Sequence, residues 1–241
     1  MSLDRMIEKI AALQNPTVAG LDPKLDYIPS YIQEKAYAAC GKTLEGAAAA
    51  ILEYNKGLID ALSPIVPAVK PQAAYYEMYG WQGVRTLCET ICYAREKGMF
   101  VITDGKRNDI GATMEAYAAA HLGVTAVEEE TAEAFGADAL TVNGYLGSDG
   151  IRPLLKVCQQ GDKGIFVLVK TSNPSSGELQ DEALAGGAAV YRTMGGFCEK
   201  WGAELPGKYG YSGVGAVVGA TYPAQLGELR AALPATFFLV P

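Results

Sequence analysis

Short apolar, β-branched runs recur along this chain, and a longer Ala- and Glu-rich stretch follows most of them. That alternation restricts the possible folds more than any other feature. Strands are expected at residues 17–21 (TVAGL), 68–70 (AVK), 99–103 (MFVIT), 139–142 (ALTV), 165–170 (IFVLVK), 215–218 (GAVV) and 236–240 (TFFLV). Helices are expected at 44–61, 81–97, 113–134 and 183–201, besides an amphipathic one at the N-terminus. Regular strand–helix alternation implies an α/β fold with a parallel sheet and helices on its faces. Both an open doubly wound sheet and a closed barrel satisfy it. The first strand runs into GLDPK and a long connection through 27–42, with no G-x-G-x-x-G turn. Polar residues also stand at the C-terminal end of nearly every strand: Asp22, Lys70, Asp104 with Lys106, Asn143, Lys170 with Thr171 and Ser172, and Thr221. A barrel gathers all such ends around one mouth, where barrel enzymes carry out their chemistry. The expected architecture is therefore a (β/α)8 TIM barrel forming one domain over residues 1–241. Seven strands are found, so an eighth strand and a final helix are expected beyond Pro241, the barrel being incomplete at its C-terminal end.

The charge balance narrows the possible partners. There are 27 acidic against 20 basic residues, a formal charge of −7, which argues against a nucleic-acid-binding surface but leaves room for a local basic pocket. The N-terminus, MSLDRMIEKIAALQ, carries charge throughout, unlike a signal peptide, and no run of apolar residues is long enough to span a membrane. The five cysteines are scattered without a C-x-x-C pair and read as small buried apolar residues of a cytoplasmic protein. His121, the sole histidine, lies in an alanine-rich helical stretch, and no Cys/His/carboxylate spacing suggests zinc. No metal or cofactor is expected. Trp81 and Trp201 read as packing residues.

The densest chemistry lies at residues 103–111, TDGKRNDIG. Asp104 and Lys106 stand two apart at the end of an apolar strand, so extended geometry would aim both side chains the same way. Asp109 follows at the turn into a helix. The bland reading is that Asp109 caps that helix while Asp104 and Lys106 form an ordinary ion pair. Lys70, held extended before Pro71 at the end of the preceding strand, weighs against it by bringing a second ammonium to the same wall. Four charges of alternating sign are costly to desolvate unless they serve one another or a ligand, and such arrays cluster at functional sites.

Four segments in order, VAGLDP, AVKPQ, ITDGKRNDIGAT and VKTSNPSSGE, resemble the orotidine 5′-phosphate decarboxylase family, in its bacterial branch with KPQ on the second strand. The resemblance covers essentially the whole chain. It implies a cofactor-free enzyme that converts orotidine 5′-phosphate to UMP and CO2, the last step of de novo UMP synthesis. It implies that Lys106 donates a proton to C6 of the pyrimidine and that Asp104 lies beside the departing carboxylate. Lys70 would complete the charge array, touching the ribose as Asp22 does. Asp109, Ile110 and Thr113 would reach into a neighbouring subunit's site, making the enzyme a homodimer with shared active sites, and Ser172 would contact the pyrimidine. The family's phosphate-binding loop and arginine would lie beyond Pro241. Gly144 stands where the family pattern suggests proline. A Mg²⁺-dependent decarboxylase or aldolase of keto-sugar phosphates on the same barrel is the main alternative, opposed by KPQ and TSNP. A non-catalytic nucleotide-binding barrel is the other, opposed by the intact charge array.

Overall fold

The computed structural model describes residues 2–241. In sequence order the elements are α1 (Ser2–Leu13), β1 (Val18–Leu21), α2 (Ser30–Cys40), α3 (Leu44–Leu62), β2 (Ala68–Pro71), α4 (Ala74–Glu77), α5 (Gly80–Glu96) and β3 (Phe100–Arg107). There follow α6 (Gly111–His121), β4 (Thr125–Val127), β5 (Glu130–Ala132), β6 (Ala139–Val142), α7 (Ser148–Gly161) and β7 (Gly164–Lys170). The last elements are α8 (Gly177–Gln180), α9 (Val190–Gly202), β8 (Val214–Val218), α10 (Pro223–Ala232) and β9 (Phe238–Leu239). These elements fall into two compact units, the first comprising Arg5–Gly105 and Ala120–Asp138, the second Lys106–Ala119 and Ala139–Pro241 with the residues up to Asp4.

In the first unit β1, β2 and β3 pair in parallel, with Leu21 opposite Pro71 and Val69 opposite Val101. Their apolar residues meet one face of α3, where Ala47, Ala50, Ile51 and Ile59 are buried together with Leu87, Ile91 and Ala94 of α5. That face repeats at helical spacing, which is why the Ala-rich segment coils rather than extends. Thr43 caps α3, its hydroxyl accepting from the Gly46 amide at 3.2 Å. Buried Asp138 fastens the start of β3, one carboxylate oxygen accepting from the Val101 amide and the other from Arg5, both at 2.9 Å.

In the second unit β6, β7, β8 and β9 also pair in parallel. Strand β7 is buried on both faces at Ile165, Phe166, Val167 and Val169. The near-continuous apolar run 165–170 is the expected signature of a strand covered on both sides.

Three expectations need correcting. The connection 27–42 contains α2, which buries Ile32 and Ala36 although its apolar periodicity is weak. The helix expected at 113–134 stops at His121 and gives way to an antiparallel hairpin of β4 and β5. Gly123 and the β-branched pair Val124-Thr125 end the helix, and Glu128 takes a left-handed φ of 54° in the two-residue turn. The helix expected from 183 begins only at Val190, because residues 183–189 fold into a turn closed by a bridge between Ala183 and Ala189.

The cysteines are free thiols, with Cys158 and Cys198 fully buried. Burial pushes the Cys158 thiol up to about 12, far from the range in which a thiolate reacts. Among the described residues no helix is long and apolar enough to cross a membrane.

Candidate active site

The first unit brings the ends of its three parallel strands side by side. Beyond the paired Leu21 and Pro71, the Gln72 amide donates to the Leu21 carbonyl at 3.2 Å, and the Ala73 amide to the Asp104 carbonyl at 3.2 Å. Lys70 and Gln72 flank Pro71 two residues apart, so extended backbone sends both side chains to one face. Both reach Asp104. Its Oδ2 accepts from Lys70 Nζ at 2.8 Å and from Gln72 Nε2 at 3.1 Å. Asp104 is only 6% exposed, so this ion pair is largely removed from water. Such a pair is weak evidence for stability, because desolvation consumes much of the Coulombic gain. Gln72 is the site residue that sequence reading passes over, since an uncharged amide gives no charge signal; its spacing from Lys70 was the available clue.

Asp22 stands exposed at the next strand end and lines a cavity of about 250 Å³ with Gly20, Pro23, Tyr27, Tyr54, Asn55 and Leu58. Behind it, buried Asn55 donates to Tyr76 Oη at 2.9 Å and to Thr90 Oγ1 at 3.1 Å. Tyr76 Oη in turn reaches the Leu21 carbonyl at 3.4 Å, and burial holds its phenol well above the usual range.

In the second unit the backbone of Lys106 carries the clearest irregularity. Its φ is 46°, a left-handed conformation rare for a residue with a side chain. Its amide is held by Thr141 Oγ1 at 3.0 Å, while the Asn143 amide donates to the Arg107 carbonyl at 2.9 Å. Strained residues of this kind cost on the order of 1–3 kcal/mol and concentrate at functional sites. The expected alternation of Asp104 and Lys106 assumes extended backbone, and that assumption fails at Lys106. Asp109 accepts from the adjacent Ile110 amide at 2.9 Å just ahead of α6. Ile110, just before α6, and Thr113, on its first turn, are both exposed.

Ser172 also lies in the second unit, exposed after β7. Gly219 presses against it: a Cβ at that position would lie 2.8–2.9 Å from the Ser172 N, Cα and Cβ atoms. Backbone cannot yield as a flexible side chain would, so Gly219→Ala is expected to destabilise the protein by about 1–3 kcal/mol, measured by denaturant unfolding. An unchanged midpoint would show that this contact is slack. Gly144 is similarly confined, its added Cβ falling 2.7 Å from Met194 Sδ and 3.1 Å from Val167 Cγ1, so the packing here leaves little room for a proline ring.

His121 is buried and stacks on Phe135 at 4.6 Å, a packing role. Among the described residues no group of three or more His, Cys, Asp or Glu is placed to hold a metal ion.

Comparison with known proteins bears on this arrangement. Residues 44–229 match the model of the orotidine 5'-phosphate decarboxylase / HUMPS family. The chain belongs to that family. The orotidine 5′-phosphate decarboxylase of Rhodopirellula baltica is 45% identical over 225 residues, covering 93% of this chain and 72% of that protein. The decarboxylase of Caldicellulosiruptor bescii is 40% identical over 99% of this chain and 78% of its own length. Among solved structures, OMP decarboxylase from Leishmania donovani superposes with a TM-score of 0.76 at 32% identity, covering all of this chain and 79% of that one. The resemblance carried by the four motifs is thus borne out, and so is the α/β barrel class of this decarboxylase family.

Proposed function

We propose that the protein decarboxylates orotidine 5′-phosphate to UMP and CO2, the closing step of de novo UMP synthesis, without a metal or cofactor. The observation that carries the reading is the part-buried knot of Lys70, Gln72 and Asp104 at adjoining strand ends, in a member of the decarboxylase family. Loss of CO2 from C6 leaves an electron pair in the plane of the ring, where no conjugated sink exists. A fixed ammonium is the natural remedy, stabilising the developing charge and then quenching it by proton transfer.

Lys106 takes that part, its position set by its left-handed backbone and the bond from its amide to Thr141. Asp104, already held by Lys70 and Gln72, lies beside the departing carboxylate and opposes the charged ground state more than the product-like transition state. Lys70 and Asp22 bind the ribose, and Ser172 contacts the pyrimidine. Asp109, Ile110 and Thr113 complete the site of a second copy, so the working form is a homodimer. The exposure of Ile110, at 51%, suits a residue that a partner subunit covers.

The test is the fall in ultraviolet absorbance when orotidine 5′-phosphate is added in the presence of EDTA. Full activity in EDTA is expected. Abolition by EDTA with rescue by Mg²⁺ would favour the keto-sugar-phosphate chemistry instead, and no turnover at all would remove the reading.

A further inference from the structure

Lys170, the last residue of β7, is fully buried, yet it has no part in the chemistry proposed above. Its ammonium donates to Asp181 Oδ1 at 2.7 Å and to Ser176 Oγ at 3.2 Å, and it sits 4.3 Å from the centre of the Tyr222 ring. A wholly buried ammonium is expensive unless what surrounds it uses the charge. Here the surroundings form a relay of donors. Ser176 Oγ donates to Tyr222 Oη at 3.0 Å, and Tyr222 Oη donates to the Asn173 carbonyl at 3.3 Å. The relay therefore ends on the backbone immediately after Ser172.

The rest of the segment is bolted down as well. The Thr171 amide donates to Gln180 Oε1 at 2.9 Å, and Gln180 Nε2 returns a bond to Thr171 Oγ1 at 2.7 Å. Asn173 accepts from Thr171 Oγ1 at 2.6 Å and donates to Ser175 Oγ at 3.0 Å. The Gly219 amide donates to the Lys170 carbonyl at 2.7 Å. Thr171, Asn173, Ser175 and Ser176 thus commit their side chains to one another and to the frame around them, whereas Ser172 among the described residues makes no side-chain hydrogen bond and stands exposed.

We infer that Lys170 is a positioning residue: with Asp181, Ser176 and Tyr222 it locks the segment after β7 so that the Ser172 hydroxyl is presented to the base of the substrate. The inference rests on the role proposed for Ser172. Lys170→Met keeps the length of the side chain and removes the charge, leaving Asp181, already 46% exposed, to water. The expected result is a drop of about tenfold in kcat/KM, modest beside the hundredfold that roughly 1 Å of misplacement can cost. The melting temperature should hold or rise.

A merely structural lysine would cost the same in any background, so the deciding measurement is a double-mutant cycle with Ser172→Ala. If Lys170 acts through Ser172, the double variant should match Ser172→Ala within about twofold. Equal losses from Lys170→Met in both backgrounds overturn the inference, as does full activity of Lys170→Met when Ser172→Ala is impaired. Should Lys170→Met fail to fold, Tyr222→Phe decides, since it keeps the ring and removes only the relay. Its loss, about threefold, should likewise vanish in the Ser172→Ala background. A Ser172→Ala enzyme indistinguishable from the parent would instead overturn the role of Ser172, and the inference with it.

Discussion

Replacing Lys106 by alanine is expected to lower turnover of orotidine 5′-phosphate by several orders of magnitude while UMP still binds. Two effects vanish together in that variant. A preorganised charge of this kind is worth about 10²–10³ in rate, and a positioned proton donor about 10²–10⁴. They reside on one nitrogen, so their combined loss is not recovered by neighbouring cations. Lys70 cannot step in, because its ammonium is committed to Asp104 at 2.8 Å. The informative comparison is turnover against UMP affinity. A binding loss equal to the rate loss would mean that Lys106 grips the nucleotide without selecting the transition state, and near-normal turnover would dismiss the proposed chemistry.

Mixing two dead variants should restore activity. If Asp109 serves the other subunit's site, a heterodimer of Lys106→Ala and Asp109→Ala subunits contains one site with both lesions and one with neither. Under two-fold symmetry up to about half of the sites in each heterodimer then recover. The neighbouring side chains of Ile110 and Thr113 are exposed, which leaves them free to meet a second copy. Subunit exchange must be shown separately, for instance by mass spectrometry of the mixture. Proven exchange without recovery would place Asp109 in the site of its own subunit.

Much of this arrangement can be read from residues alone, for definite reasons. Strands such as β7 are covered on both faces and so appear as unbroken apolar runs, and the polar residue closing each run marks a strand end. Lys70 and Asp104 stand out in that way, and the structure joins them. Gln72 does not, because its contribution is one amide hydrogen bond rather than a charge. The sign of φ at Lys106 is invisible to any pattern of residue types; it depends on the tie to Thr141, 35 residues away. Lys170 is visible as a polar strand end, but its complete burial is not, since that depends on Tyr222 and Asp181 closing over it from later in the sequence. The hairpin of β4 and β5 is missed for a different reason: its alanines and glutamates favour a helix, and only Gly123 and the β-branched residues around it argue otherwise.

That hairpin has a consequence for how the molecule behaves at high concentration. Every residue of both its strands is exposed, and a narrow two-stranded ribbon with free edges is a template onto which another molecule's backbone can pair. Its turn and the start of its second strand are Glu128, Glu129 and Glu130, three successive carboxylates at the tip. Two ribbons approaching edge to edge must bring these like charges together, so the tip acts as a built-in guard against self-association. The guard is electrostatic, which makes it strongest at low ionic strength and weakest where salt screens the carboxylates.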